Sequence, residues 1–195
     1  MTLIVWNDPA RVERELRDRR LRCPHCDGEL QPWGHARFRV LRSRAQSKEL
    51  RPRRARCSVC AKTSVLLPDL WLVRRVDEAA VIGAALLQRA AGAGHRKIAV
   101  TLDRPPETVR GWLRRFSSKA GALLAHFRHW ALALDGRLDE IGPQGSVVGD
   151  ALEVIGLATR AATLALGSRP PWSWASAMTG GRLLSHTSSP FPVPR

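Results

Sequence analysis

Apolar residues recur at helical spacing through most of the second half of the chain and form few runs between residues 22 and 68. The opening run "LIVW" is followed by "NDPARVERELRDRR", which reads as a helix capped by Asn7 or Asp8 with Pro9 in its first turn. Residues 69–116 read as three helices. The first, "DEAAVIGAALLQRAAGAG", is expected to be capped by Asp77 and ended by the glycines around Gly92 and Gly94. In the second, Ile98, Ala99 and Leu102 make the apolar face. The third starts at Pro105 and Pro106, since proline is tolerated in a first turn. Its Val109, Trp112, Leu113 and Phe116 fall on one stripe. A fourth helix over residues 117–134 carries Leu123, Leu124, Phe127, Trp130, Ala131 and Leu134 on one stripe. That stripe must bury against the chain's own core or against a second copy. Beyond the Gly- and Pro-broken "DEIGPQGS", a helix is expected over Val147–Leu166 and a short one from Pro171 to Gly180. There Trp172 and Trp174 either anchor the tail or form an interface. The Pro- and Ser-rich end, residues 185–195, reads as disordered.

The pattern predicts a mainly α fold with a small β zinc ribbon. An N-terminal four-cysteine ribbon precedes a helix-turn-helix bundle and C-terminal helices. The segments are residues 1–21, 22–68, 69–116, 117–184 and 185–195.

All four cysteines lie in the poorly apolar segment, as "CPHC" and "CSVC". Two Cys-x-x-Cys hooks form a four-thiolate tetrahedron when strands bring them together. A redox motif needs only one pair, set before a helix in a βαβ pattern. A segment of roughly 45 residues rarely folds on its own core, and zinc ligation supplies about 10–16 kcal/mol in small metal domains. Cys23, Cys26, Cys57 and Cys60 are therefore the expected ligands of one structural Zn2+. Four thiolates fill the tetrahedron, which leaves His25 and His35 as surface residues.

Charge narrows the partner. Lysine and arginine number 32 against 17 acidic residues, a formal net charge of +15. Such an excess points to a polyanion, and double-stranded DNA is the expected partner. The charge is densest between the hooks. Arg37 and Arg39 alternate as on one face of a strand, and Arg53 and Arg54 sit beside the second hook. These arginines are expected on the phosphate backbone. In residues 95–116 the turn "DRP" joins two short helices, as a helix-turn-helix requires. Asp103 tolerates the left-handed geometry of that turn. The second helix is apolar behind and carries Arg110, Gly111, Arg114 and Arg115 in front, so it has the character of a reading helix. Arg96, Lys97, Arg104 and Thr108 complete the expected DNA contacts.

The stretches "CPHCDGELQPWGHARFRV", "RPRRARCSVCAKTSVLLP" and "TVRGWLRRF" resemble a family of uncharacterised actinobacterial proteins associated with mobile elements. Their zinc-ribbon and helix-turn-helix arrangement is similar to the N-terminal DNA-binding part of several transposase groups. The resemblance spans residues 1–185. It implies DNA binding, a possible transposase partner and the same four cysteine ligands, and it supplies no catalytic residue.

An enzyme is not expected. A transposase nuclease needs several carboxylates around two metals. After Ser117 the acids are Asp135, Asp139, Glu140, Asp150 and Glu153, crowded around one loop. The expected role is a sequence-specific DNA-binding regulator or accessory factor, with homodimerisation through the C-terminal helices as an option. The alternatives are the DNA-binding subunit of a recombinase whose nuclease is on another chain, and an RNA-binding zinc-ribbon protein. No apolar run reaches the ~18 residues of a membrane span and no targeting signal is read. The expected location is the cytoplasm, at the nucleoid when bound to DNA.

Overall fold

The computed structural model describes residues 1–136, 142–185 and Phe191. Within them lie six strands and seven helices, a mixed α/β chain. The disorder expected of residues 185–195 falls outside the described residues except at Ser185 and Phe191, and Asp139 and Glu140 fall outside them too.

The "LIVW" run forms β1 (Thr2–Val5), and α1 (Pro9–Arg17) follows, with the Asp8 side chain accepting the Arg11 N–H. Val12 and Leu16 face inward from α1. After the first cysteine pair come β2 (Leu30–His35), β3 (Arg39–Arg42), β4 (Ser47–Leu50), β5 (Arg53–Cys57) and β6 (Thr63–Pro68). The main sheet has the order β1-β6-β5-β2, in which β1 runs parallel to β6 and the other pairs are antiparallel. Residues 1–21 therefore share a sheet and a core with residues 22–68. That core joins Val5, Val12 and Leu16 to Leu30, Ala55, Leu66 and the buried Cys23 and Cys57.

The first part of the densely basic stretch between the hooks leaves this sheet, while Arg53, Arg54 and Arg56 lie on its strand β5. β3 and β4 form a separate two-stranded hairpin. Arg39 opens β3 and Arg37 lies outside it, so the expected alternation of the two on one strand is not what forms.

The helical half starts with α2 (Ala79–Ala90), α3 (His95–Leu102) and α4 (Pro106–Ser117). It continues with α5 (Ala120–Leu134), α6 (Val147–Leu166) and α7 (Pro171–Met178). Asp77 is not the cap of α2. That position belongs to Glu78, which makes no side-chain cap bond, because the Asp77 carboxylate is buried and bound to two arginines. Asp103, between α3 and α4, has φ 52° and ψ 56°, the left-handed conformation read for it from the sequence. Val109, Trp112 and Phe116 are buried, as are Leu123, Phe127 and Ala131 of the α5 stripe. The Val, Leu and Phe side chains among them each contribute about 1.5–3 kcal/mol when fully buried. All belong to one core that also takes in α2, α3, α6 and α7. The chain's own helices thus cover the α5 stripe. Trp174 is buried in this core and Trp172 packs against it, so both act as anchors.

Among the described residues the two halves are joined at several places, and three of these stand out. Trp6, just after β1, meets Trp174 edge-to-face with ring centroids 5.9 Å apart. The Arg169 guanidinium lies 3.3 Å from the Trp6 ring centroid and 3.2 Å from the Asp69 carboxylate. Burial raises the Asp69 pKa, partly offset by Arg169, and burial lowers Arg169 to about 10. Third, Arg42 of β3 and Arg104 of the α3–α4 turn share the carboxylate of Asp77.

Candidate metal centre and nucleic-acid interface

The two cysteine hooks have the same local shape. Each is followed by a residue in the left-handed region, Asp27 with φ 61° and Ala61 with φ 57°. This reverses the chain and turns both thiols of a hook toward the opposite hook. Strands β2 and β5 set the distance between the hooks through the Leu30–Cys57 pairing. Gly28 makes the approach possible, since a Cβ there would sit 2.9 Å from the Cys57 sulfur.

All four sulfurs lie within 4.8 Å of one another. Cys23 and Cys60 are 3.7 Å apart, and Cys26 and Cys57 are 3.5 Å apart. A tetrahedron with metal–sulfur bonds of about 2.3 Å needs about 3.8 Å between sulfurs. The Cys57 sulfur also accepts the N–H groups of Val59 and Cys60 at 3.3 and 3.5 Å, which favours its thiolate. The Cys60 N–H leads in lowering the Cys57 pKa to about 6. At Cys26 the Gly28 N–H acts in the lowering direction. The neighbouring thiols, Cys60 foremost, together with burial outweigh it and raise the pKa to about 12. Four thiols this close cannot all ionise without a cation between them. The donor set thus fits one metal ion, and it is the one metal-competent cluster among the described residues. His25 is exposed, with its Nε2 2.6 Å from the Lys62 amine rather than at the sulfurs.

The arginines expected on DNA fall into different environments. On α4, Arg110 and Arg114 are exposed, opposite Val109, Trp112 and Phe116. Arg110 pairs with Glu107 at 2.7 Å on the solvent side. Arg110, Arg114, Arg89 and His95 line a shallow cleft of about 290 Å³ where α4 meets the α2–α3 junction. Arg96 and Lys97 are exposed on α3, and Thr108 is half-buried. Arg115 is half-buried and near Arg75, whose pKa is lowered first by burial and then by Arg115.

Arg104 is in the wrong place for a DNA contact. Its side chain is only 7 % exposed and its Nε sits 2.6 Å from the Asp77 carboxylate. Its remaining donors go to the carbonyls of Leu102, Asp103 and Ser43. Arg53 and Arg54 do not act together either, because consecutive residues of a strand face opposite ways. Arg53 turns to α1 and pairs with Glu13 at 2.6 Å, also donating to the Gly34 carbonyl. Arg54 is half-buried and donates to Thr63 Oγ1. Arg56 shares the Arg54 face and lies over the half-exposed ring of Trp33, 4.7 Å from its centroid. Arg37 is exposed and Arg39 half-buried beside it.

Sequence reasoning missed Asp77, Asp69, Arg169 and Gly28. For Asp77 the available signal was misleading, because an acid ahead of an apolar helical run looks like a cap. The glycine right after "CPHCD" was a usable signal, since metal hooks crowd their backbones.

The chain matches no known family, no curated protein and no solved structure. No described helix is long and apolar enough to cross a membrane.

Proposed function

We propose that this chain is a sequence-specific double-stranded DNA-binding protein. In this reading Cys23, Cys26, Cys57 and Cys60 hold one structural zinc ion. Zinc suits an all-thiolate tetrahedron, and it supplies a cross-link that reinforces the small core of the sheet. α3 and α4 act as a helix-turn-helix whose second helix enters the major groove. The observation that carries the reading is the composition of α4: three large residues buried behind it, and Arg110 and Arg114 free of the core in front. Arginine forks at such positions read guanine edges. Arg96 and Lys97 lie one helix away and would hold the backbone.

The chemistry is recognition rather than catalysis, and a regulator or an accessory factor of a mobile element fits it. Selection of bound duplexes from a random pool tests the proposal. An enriched motif that is weakened by Arg110→Ala is the expected result. A pool that stays random at moderate salt would reject sequence-specific reading.

A further inference from the structure

A second basic surface lies away from α4, where the β3–β4 hairpin faces the loop of residues 71–76. An open trough of about 770 Å³ runs there, between Arg37, Phe38 and Arg39 on one wall and Arg74 and Arg75 on the other. A second hollow of about 390 Å³ shares Thr2, Val73 and Arg74 with it and carries the trough on to Arg182. Among the described residues five arginines line the two hollows and no carboxylate does. Among the described residues Arg37, Arg39 and Arg74 have no ion-pair partner.

The trough is not uniformly polar. Phe38 is 67 % exposed on its lip, and Val40 and Val76 are about half exposed beside it. Arg51 lies 5.4 Å from the Phe38 ring centroid, so the ring is steadied by a cation while much of it faces solvent. Arg74 sits at φ 61°, a conformation that non-glycine residues rarely hold. Outliers of this kind concentrate at functional sites. The hairpin wall is also rigidly placed, since Arg42 of β3 is bound to the buried Asp77.

We propose that this trough binds a single-stranded nucleic acid segment, with its phosphates on Arg37, Arg39 and Arg74 and a base stacked on Phe38. An unpaired strand offers both a phosphate row and open base faces, and stacking on an aromatic ring is tolerant of sequence. A duplex keeps its base faces inside and would use the arginines alone. An acidic peptide would likewise leave the exposed ring and the apolar lip without a flat partner. The proposal does not depend on α4 reading duplex DNA.

The test is fluorescence anisotropy of the full chain with a labelled oligo(dT) of about a dozen nucleotides, within the roughly 4–16 nucleotides that such sites take up. A mixed-sequence duplex of the same length runs beside it. Phe38→Ala should weaken oligo(dT) binding about tenfold, as expected for one lost stacking contact, and leave the duplex nearly unchanged. Phe38 is exposed, so the variant keeps its fold. Arg74→Gly relieves the backbone and should lower the log–log salt slope for oligo(dT) by about 0.7, one phosphate's share. Wild-type affinity of both variants for oligo(dT) would overturn the proposal, as would equal losses on strand and duplex. Displacement of oligo(dT) by polyglutamate at matched charge would also overturn it, in favour of an acidic peptide. If Arg110→Ala alone affects the duplex and Phe38→Ala alone affects the strand, the two surfaces are separate.

Discussion

Asp77 binds Arg42 from the hairpin and Arg104 from the α3–α4 turn, at 2.9 and 2.6 Å, with its own side chain 3 % exposed. Removing it would strand the almost fully buried Arg104 cation. Breaking a buried ion pair from one side costs about 3–5 kcal/mol. Arg42 is more exposed, so its share is at the low end after solvent screening. Asp77→Ala should therefore lower the urea midpoint by an amount equivalent to about 3 kcal/mol. An unchanged midpoint would mean that water replaces the carboxylate. His126 provides a pH handle. Burial lowers its pKa first of all, the Met178 carbonyl opposes this, and His129 adds to it. The folded state therefore holds the neutral ring where the unfolded chain takes up a proton. Stability should be full above the unfolded value of about 6.5 and fall as pH drops below it, by at most about 1.4 kcal/mol per unit. Melting temperatures of wild type and His126→Gln between neutral and mildly acidic pH measure this. The substitution should flatten the slope.

One close approach and one strand decide how the elements fit. A Cβ on Gly83 of α2 would overlap the indole of Trp172 on α7. Gly83→Ala should thus destabilise the helical half despite the better helix propensity of alanine, by about 1–3 kcal/mol for overpacking. Chemical denaturation followed by helix signal reads it, and a gain in stability would show that α7 can shift. β5 separates Arg53 from Arg54 by alternation, which assigns Arg53 to α1 and leaves Arg54 and Arg56 on the other face. On α4, Arg110→Ala or Arg114→Ala should cost about 1–3 kcal/mol on the best duplex and relax base preference at one or two positions. Titration against a specific and a scrambled duplex separates reading from backbone contact. Equal losses on both would mean that α4 only follows the phosphates.

At the scale of the whole molecule, the cysteine-bearing sheet and the helices are in contact. Trp6 packs against the helical core and meets Trp174, Arg169 lies 4.4 Å from the Trp174 ring centroid, and Ser176 donates to the Trp71 carbonyl. Stripping the metal with a chelator should lower the melting temperature of the whole chain, with far-ultraviolet and tryptophan signals moving together. A helical transition indifferent to the chelator would show two independent units. Elemental analysis of the purified chain should find about one zinc per chain. The helices over residues 79–134 and 147–178 were legible in the sequence, because their apolar residues repeat with the helical period and proline or aspartate marks their ends. The four thiols were legible because paired hooks have a local spacing. The sequence by itself thus determined the elements whose cause is local: α1 with a cap at Asn7 or Asp8, the left-handed Asp103 and the buried face of α4. Only the tertiary structure decided which charges are free. Arg104, Arg53 and Arg110 look alike along the chain, but the first is buried on Asp77, the second is held by Glu13 and the third faces solvent. Their partners lie 27, 40 and 3 residues away. Pairings at the longer separations are set by how β1, the hairpin and the helices meet, and neither composition nor periodicity carries that information.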